Sequence, residues 1–596
     1  MATTTFAIAK AKGGGIIHER REPEEIFTPE DFTDEHKAIA RTTEEFYTNE
    51  VAPNVETIQH EDKGVAAKIL KKSGELGLTS VIIPEKFGGM EMDLTSMMIV
   101  AERVSGDGSY SAWHGAHTGI GTLPLLLFGT EDQKQRYLPK LASAEMVAAY
   151  CLSEPQAGSD ALNIKTRADL TPDGKHYVLN GQKMWITNGA YADLYTIFAK
   201  VDGDKFTAFL VERAYPGVNP GAEEKKMGIK GSSTTAIYLD NVKVPAENLL
   251  GELGRGHVIA FNILNLGRLK LGPFVIGGCK DVIEASVKYA KERKAFGTTI
   301  SEFGMIRHKL AEMAIRTFVA ESLGYRTVGL IQSQLEGFSW EQPNAAGTML
   351  KAVEEYATEC SYVKVFASEV LDYVTDEGVQ IHGGYGYHQD YAVERAYRDS
   401  RINRIFEGTN EINRMLATGM LLKRAQRGQL PLVDAVKKLL GEVMGGPTLG
   451  SGSSGEPFEE ENKMVENAKK IALLILGVAY QKYLTQIEGQ QEVLAGITEV
   501  MMNTYAMESA CLRAQKIARS GKNAENAAEM AAVFAREAME TIEAFARTVL
   551  ANCSDGDSLR MNLAVLKRFT KYELVDAIRL RRKIAARLLE SGKYVV

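Results

Sequence analysis

The stretch His176-Tyr-Val-Leu-Asn-Gly-Gln-Lys-Met-Trp-Ile-Thr187 carries the reading on which the fold turns. Its side chains change character with a period close to two, and Asn180-Gly181 is a dipeptide that favours a two-residue hairpin turn. The segment therefore reads as two strands joined at Asn180-Gly181. FTAFLVE (206–212) and TAIYLDNVKV (235–244) read as further strands, giving a β domain over 151–256.

The pattern on either side is helical. Over 33–150, stretches such as AAKILKKSGELGL (66–78) bring Ile69, Leu70, Leu76 and Leu78 near one another, with Gly77 and Gly88-Gly89 as stops. Over 257–430 long helical patterns return. In DVIEASVKYAKERKAFG (281–297), Ile283, Val287 and Ala290 share one face and Gly297 ends the run. GEVMGGPTLGSGSSGEPFEEEN (441–462) has linker composition, so 431–462 reads as a short helix and linker. Ala-, Leu-, Lys- and Glu-rich sequence over 463–596 predicts a further all-helical domain. The expected fold is α+β: a helical N-terminal domain, a central β domain, a helical-bundle C-terminal domain and an additional all-helical domain.

Composition narrows the function. The 596 residues are 45% hydrophobic and 25% charged, as in ordinary globular proteins. A net charge of −7, from 77 acidic and 70 basic residues, offers no general field for nucleic acid phosphates. The five cysteines (Cys151, Cys279, Cys360, Cys511, Cys553) are widely spaced without a C-x-x-C pair, which points to a reduced, intracellular chain. No zinc or other metal site is expected. Residues 1–32 lack the pattern of a cleavable leader and read as a mobile tail. The longest apolar run, Ile471 to Tyr480, is too short for a bilayer, which needs roughly 20 residues. In Leu430–Met444, Val433, Val436, Leu440 and Val443 follow one helical face, with Leu432, Leu439 and Met444 beside it. That face suits packing on the protein itself or weak, reversible contact with a membrane. A cytoplasmic chain touching the inner membrane face from outside the bilayer fits both readings.

Four segments could carry chemistry. Tyr150-Cys-Leu-Ser-Glu-Pro-Gln-Ala-Gly-Ser-Asp160 is a small-residue turn where backbone N–H groups and hydroxyls could approach a phosphate. It reads equally as a plain Pro/Gly loop. Lys183-Met-Trp-Ile-Thr-Asn-Gly189 places Trp185 and Thr187 on one side of a strand, where a flat heterocycle could stack and accept a hydrogen bond, although a core tryptophan would look the same. Val379-Gln-Ile-His-Gly-Gly-Tyr-Gly386 breaks a helical pattern with glycines that let a ligand or another backbone come close. In Arg398-Asp-Ser-Arg-Ile-Asn-Arg-Ile-Phe-Glu-Gly-Thr-Asn-Glu-Ile-Asn-Arg414, Glu407 follows Ile405 and Phe406 and precedes a glycine. Thr409 or Asn410 would cap the next helix, with Glu411 in its first turn. Desolvation there would raise the Glu407 pKa toward the range of a general base, whereas a salt bridge to a nearby arginine would make it structural.

Taken in order and register over 33–422, YCLSEPQAGSD, KMWITNG, YAKERKAFG, QIHGGYG and RIFEGTNEINR resemble the acyl-CoA dehydrogenase family, most closely its very-long-chain branch with an extra helical domain. The resemblance implies FAD as cofactor, a fatty acyl-CoA substrate, an electron-transferring flavoprotein as oxidant and a homodimer. It implies Glu407 as catalytic base. Tyr150, Leu152, Ser153, Gly158 and Ser159 match FAD-lining positions, Ser159 also lying near CoA, and Trp185 and Thr187 match the pair flanking the isoalloxazine. Arg293 and Phe296 match residues reaching FAD across the subunit interface. Gln380 through Gly384, including Gly383, match adenine and diphosphate contacts, and Thr409, Asn410 and Glu411 match the helix start beside the flavin. Asn265 and Arg268 match the CoA-binding cleft, and Gly408 a substrate contact. The same residues would serve an acyl-CoA oxidase or a dehydrogenase of branched or aromatic acyl groups, and one relative within the branch has a non-catalytic assembly role.

Overall fold

In the computed structural model, residues 11–60, 62–445 and 456–596 are described. Seven helices build the first unit: α1 (Asp34–Phe46), α2 (Val55–His60), α3 (Gly64–Glu75), α4 (Leu94–Arg103), α5 (Gly108–Ala116), α6 (Leu123–Phe128) and α7 (Glu131–Ala142). Their starts follow local chemistry, since Thr33, Asp93, Asp107 and Thr130 each accept a backbone N–H three residues on. Ile69, Leu70 and Leu78 are buried as expected, whereas Leu76 lies past the end of α3 and is exposed.

The β domain is a mixed sheet of β1 (Ala148–Cys151), β2 (Arg167–Leu170), β3 (His176–Thr187), β4 (Leu194–Val201), β5 (Lys205–Glu212), β6 (Val218–Glu223), β7 (Thr234–Pro245) and β8 (Leu249–Leu250). The order is β6-β7-β3-β2-β4-β5-β8, with β1 pairing parallel to β4. The hairpin expected at Asn180-Gly181 is absent: β3 runs straight through, and Gly181 (φ 156°) sits at a register shift against β7. A Cβ there would stand 2.4 Å from the Thr166 hydroxyl oxygen, so close approach of chains, not chain reversal, places glycine at 181. The first residues of the sheet precede the expected boundary by three positions.

The second helical unit contains α8 (Gly256–Glu292), α9 (Gly304–Gln334), α10 (Ala345–Glu355), α11 (Ala357–His382), α12 (Ala392–Ser400) and α13 (Asn410–Gln426). Ile283, Val287 and Ala290 are buried on α8, but the helix stops at Glu292 and Gly297 does not end it. Instead, β9 (Lys294–Ala295) and β10 (Thr298–Thr299) form a hairpin whose two turn residues, Phe296 and Gly297, both have positive φ (51° and 84°). α8 is long and apolar enough to cross a bilayer, yet 72% of its most apolar window is buried inside the protein, so it serves as a core helix.

After α14 (Leu432–Met444) come α15 (Glu459–Tyr483), α16 (Gln491–Arg519), α17 (Glu525–Cys553), α18 (Gly556–Phe569) and α19 (Ala577–Ser591), the additional helical domain. Residues 446–455 of the expected linker lie outside the described residues. α14 does not swing free: Leu432 and Leu439 are buried, Val436 and Val443 pack against the core, and Lys470 of α15 holds Glu442 at 2.6 Å. Part of the stripe that would have met a membrane thus faces the protein, leaving Val433, Leu440 and Met444 exposed.

The mobile tail is also corrected over its described part. Ile16 and Ile17 are buried in the helical core, and the Gly14 N–H donates to Glu359 at 2.6 Å. Arg513 of α16 bridges Glu30 and Glu321, each at 2.7 Å, joining this leading segment, α9 and the additional domain. Residues 1–10 lie outside the described residues.

Candidate active site

Glu407 lies between a short helical turn (Arg401–Arg404) and α13, in the left-handed region at φ 58° and followed by Gly408 at φ 80°. Arg268 of α8 steadies this turn, donating from Nε to the Glu407 carbonyl at 3.2 Å and from Nη1 to Asn265 Oδ1 at 2.9 Å. Arg268 and Asn265 are both buried. Two of the five Arg268 donors are used in these contacts, which set the guanidinium beside the Glu407 turn and leave further donors open.

The Glu407 carboxylate reaches α8 at Gly267, where a Cβ would stand 2.4 Å from Oε2. Oε2 is buried and has no hydrogen-bond partner. Burial pushes the carboxyl up to about 7 against the opposing pull of Arg268, Lys364 and Lys270. No salt bridge joins it to an arginine of its own segment among the described residues: Arg398 pairs with Glu394 and Arg404 with Asp372. The geometry is that of a carboxylate free to take a proton near neutral pH.

Thr409 caps α13, accepting the Ile412 N–H at 3.3 Å, and Glu411 lies exposed in the first turn. Asn410 turns inward instead, accepting from Lys364 Nζ at 2.6 Å and donating to Ser368 and Glu369. Only its backbone is left for a ligand at the helix start. The Tyr150 ring is likewise buried, packed against Phe198, with its hydroxyl under the influence of the Glu407 charge.

A second group surrounds Trp185. The register of β3 against β7 shifts between Lys183 and Ile186, and Trp185 takes φ 62° in this bulge. The bulge turns the indole out, leaving it 56% exposed, with Thr187 half-buried two residues on. The loop 152–159 is fastened beside it, since the Met184 N–H donates to Ser153 O at 2.9 Å and Lys183 Nζ to Leu152 O at 3.3 Å. Its anchor is the buried pair Glu154–Lys183 at 2.7 Å. Burial works to raise the Glu154 carboxyl, but Lys183 and donors from Lys165 and Thr166 outweigh it and hold it at about 2. Gly158 and Ser159 stand exposed on this loop, and nothing would oppose a Cβ at 158.

A third group lies at the other end of α8. Arg293 stacks on Tyr385 at 5.5 Å, beside exposed Gln380, Gly383 and Gly384, and Phe296 is 97% exposed at the hairpin tip. Gly267 and Arg293 are 26 residues apart, roughly 39 Å along a helix axis. One chain therefore keeps these residues remote from Glu407.

Sequence reading missed Gly267, Glu154, Lys183, Lys270 and Lys364 as contributors. A signal existed for the two last: Lys364 is a lone charge in the apolar helical run SYVKVF, and Lys270 shares GRLKLG with only Arg268 among apolar residues and glycines. A cavity of about 100 Å³ is lined by Phe406, by Phe274, Gly278, Asp281 and Ala285 along one stripe of α8, and by Ala112 of α5. Gly267 and Leu271 continue that stripe back toward the base.

The comparisons with known proteins give the family. Family models match at 33–145 (acyl-CoA dehydrogenase, N-terminal domain), 149–242 (middle domain), 254–421 and 467–568 (both described as acyl-CoA dehydrogenase, C-terminal domain). A probable acyl-CoA dehydrogenase of Bacillus subtilis (strain 168) is 50% identical over 588 residues, 98% of each chain. The very long-chain specific acyl-CoA dehydrogenase of rat mitochondria is 42% identical over 62% of this chain and 55% of its own length. A crystal structure of an acyl-CoA dehydrogenase complexed with FAD from Bacillus anthracis superposes with TM-score 0.96 at 47% identity, covering 98% of this chain and all of that one. Butyryl-CoA dehydrogenase of Megasphaera elsdenii gives 0.59 at 35% identity over 66% of this chain and 99% of its own. The chain belongs to the acyl-CoA dehydrogenase family.

Proposed function

We propose that this protein oxidises long-chain fatty acyl-CoA thioesters to trans-2-enoyl-CoA, with Glu407 removing the α-proton. The observation that carries the reading is Glu407 itself: a carboxylate raised to about 7, with Oε2 unpartnered, held against Gly267. Its turn leaves the Glu407 N–H without a protein acceptor among the described residues, so that N–H suits the thioester carbonyl as charge develops on the oxygen.

The outward indole of Trp185, the small-residue loop at Ser153 and Gly158, and the Thr409-capped start of α13 fit FAD. Bound there, FAD would supply the hydride acceptor for the β-carbon. Arg293, Phe296 and Gln380 to Gly384 lie too far from Glu407 to serve the same flavin within one chain, which supports a homodimer in which each subunit completes its partner's site. The α8 stripe from Gly267 to Asp281 spans about 21 Å, which supports long acyl chains over short ones. An electron-transferring flavoprotein is the oxidant this reading requires, in fatty-acid β-oxidation.

Anaerobic mixing with palmitoyl-CoA tests the proposal: the bound flavin bleaches in the wild type and Glu407→Gln retains FAD but loses bleaching by several orders of magnitude. A folded protein that binds no FAD, or a Glu407→Gln variant bleached at the wild-type rate, overturns it. Faster discharge to oxygen than to an electron-accepting dye would mark an oxidase.

A further inference from the structure

Behind Glu407 lies an excess of buried positive charge that the proposed reaction does not by itself require. Lys270 follows Gly267 by three residues on α8, one turn along the same face and about 4.5 Å further down the axis. Its side chain is buried, and its ammonium, with three donors, makes one hydrogen bond, to the Thr118 hydroxyl at 2.5 Å. Among the described residues no carboxylate pairs with it. Two other buried lysines do have such partners, Lys183 with Glu154 and Lys469 with Glu508 at 2.5 Å, whereas Lys364, also close to Glu407, donates to the Asn410 amide.

The groups around Lys270 are these. From α5 and the turn after it come His114 and His117, both held neutral: burial drives them down to about 3 and 4, and each hydrogen-bonds a backbone carbonyl through Nε2. α4 and α6 present Met97, Val100 and Leu123 to the same small cavity. From α8 itself comes Arg268, from α11 Lys364 and from β1 the Tyr150 hydroxyl, each facing Glu407. The charge of Glu407 acts on Lys270, and the charge of Lys270 acts in turn on Glu407.

We propose that Lys270 is a positioning residue for the base, its buried ammonium supplying the counter-charge that keeps Glu407 ionised before substrate is oxidised. The inference rests on Glu407 being the base. An uncompensated ammonium in a dry site is costly, and so is an uncompensated carboxylate; each lowers the cost of the other. Burial lowers Lys270 to about 7, and its charge is one of three, with those of Arg268 and Lys364, that oppose the rise of Glu407.

The test reads the carboxyl directly. Infrared difference spectra of the FAD-loaded protein, each variant against the same variant carrying Glu407→Gln, follow the protonated C=O band of Glu407 from pH 5 to 9. Lys270→Met is expected to move the midpoint upward by about one unit, a tenfold rise in the acid form at fixed pH. Lys270→Gln keeps a donor for Thr118 without the charge, and should shift it likewise even where the apolar variant folds poorly. An unchanged midpoint in either folded variant overturns the proposal. Flavin bleaching of the wild type by palmitoyl-CoA, run alongside, reports separately on the reaction itself.

Discussion

Glu407 Oε2 occupies space that a methyl group on residue 267 would need, the two positions lying 2.4 Å apart. A helix of bulkier residues would hold the carboxylate away from the acyl path. Gly267→Ala is therefore expected to displace the base and slow flavin reduction about a hundredfold, because misplacement near 1 Å costs that much. FAD content should stay at the wild-type level. Stopped-flow bleaching decides the matter, and a rate within twofold of wild type would mean that Glu407 does not work from this position.

Raising a carboxyl from its ordinary 4.5 to about 7 also has a consequence for stability. Between those values the folded state holds a proton that the unfolded chain releases, so folding loses stability as pH rises from 4.5 to 7. Glu407→Gln removes that penalty. The variant should gain about 1–3 kcal/mol over wild type at pH 8 and nothing at pH 4.5, read from denaturant unfolding at both pH values. A gain equal at both would trace to packing instead. In catalysis the sign is opposite: kcat/KM falls as pH drops below about 7, since the acid form accepts no proton.

The pair Glu154–Lys183 gives a sharper stability signature. Lys183→Met strands a buried carboxylate and is expected to cost about 3–5 kcal/mol and, if the loop anchored by Glu154 holds FAD as proposed, to loosen the cofactor. Adding Glu154→Gln should recover most of that stability, since the stranded charge is gone. Calorimetry on the single and double variants separates the two outcomes, and an additive loss would contradict the pairing.

Much of this was legible in the sequence, for definite reasons. Long helices announce themselves by an apolar face, as Ile283, Val287 and Ala290 did, and Glu407 stood out because a carboxylate between Phe406 and a glycine is costly without a use. Three kinds of feature were illegible. The Asn180-Gly181 pair satisfies the chemistry of a hairpin, yet here close chain approach at Thr166 claims the glycine. Local sequence cannot weigh those demands. The outward turn of Trp185 depends on a bulge set by β7, which is remote in sequence. The docking of 11–32 depends on partners such as Glu359 and Arg513, hundreds of residues away, and a Gly-rich stretch gives no local hint of them.

Arg513 makes that docking testable. It is buried between Glu30 and Glu321 and lies 4.9 Å from the Phe318 ring. Arg513→Met should leave Glu30 free to solvate and Glu321 held by Lys280 and the Tyr594 hydroxyl. Hydrogen exchange over 15–32 is expected to accelerate while that of β3 stays unchanged. Uniform acceleration everywhere would show a global loss of stability rather than release of this segment.

The cavity along α8 makes the last prediction. Ala112 lines it together with Phe274 and Gly278, which belong to the α8 stripe that runs back to Gly267. If long acyl chains occupy this space, a phenyl ring at 112 closes it beyond the reacting carbons and leaves the thioester, the base and the flavin contacts as they are. Ala112→Phe should lower kcat/KM for palmitoyl-CoA by roughly 10- to 200-fold, the range expected when a hydrophobic pocket loses the room for a few methylenes. Butyryl-CoA, which ends short of the ring, should be turned over at the wild-type rate. The ratio of the two constants is the quantity to measure, because a merely unstable variant loses both together. A fall for palmitoyl-CoA matched by an equal fall for butyryl-CoA would place the acyl chain elsewhere, and an unchanged ratio with full activity would show that this cavity is not where the substrate's tail goes.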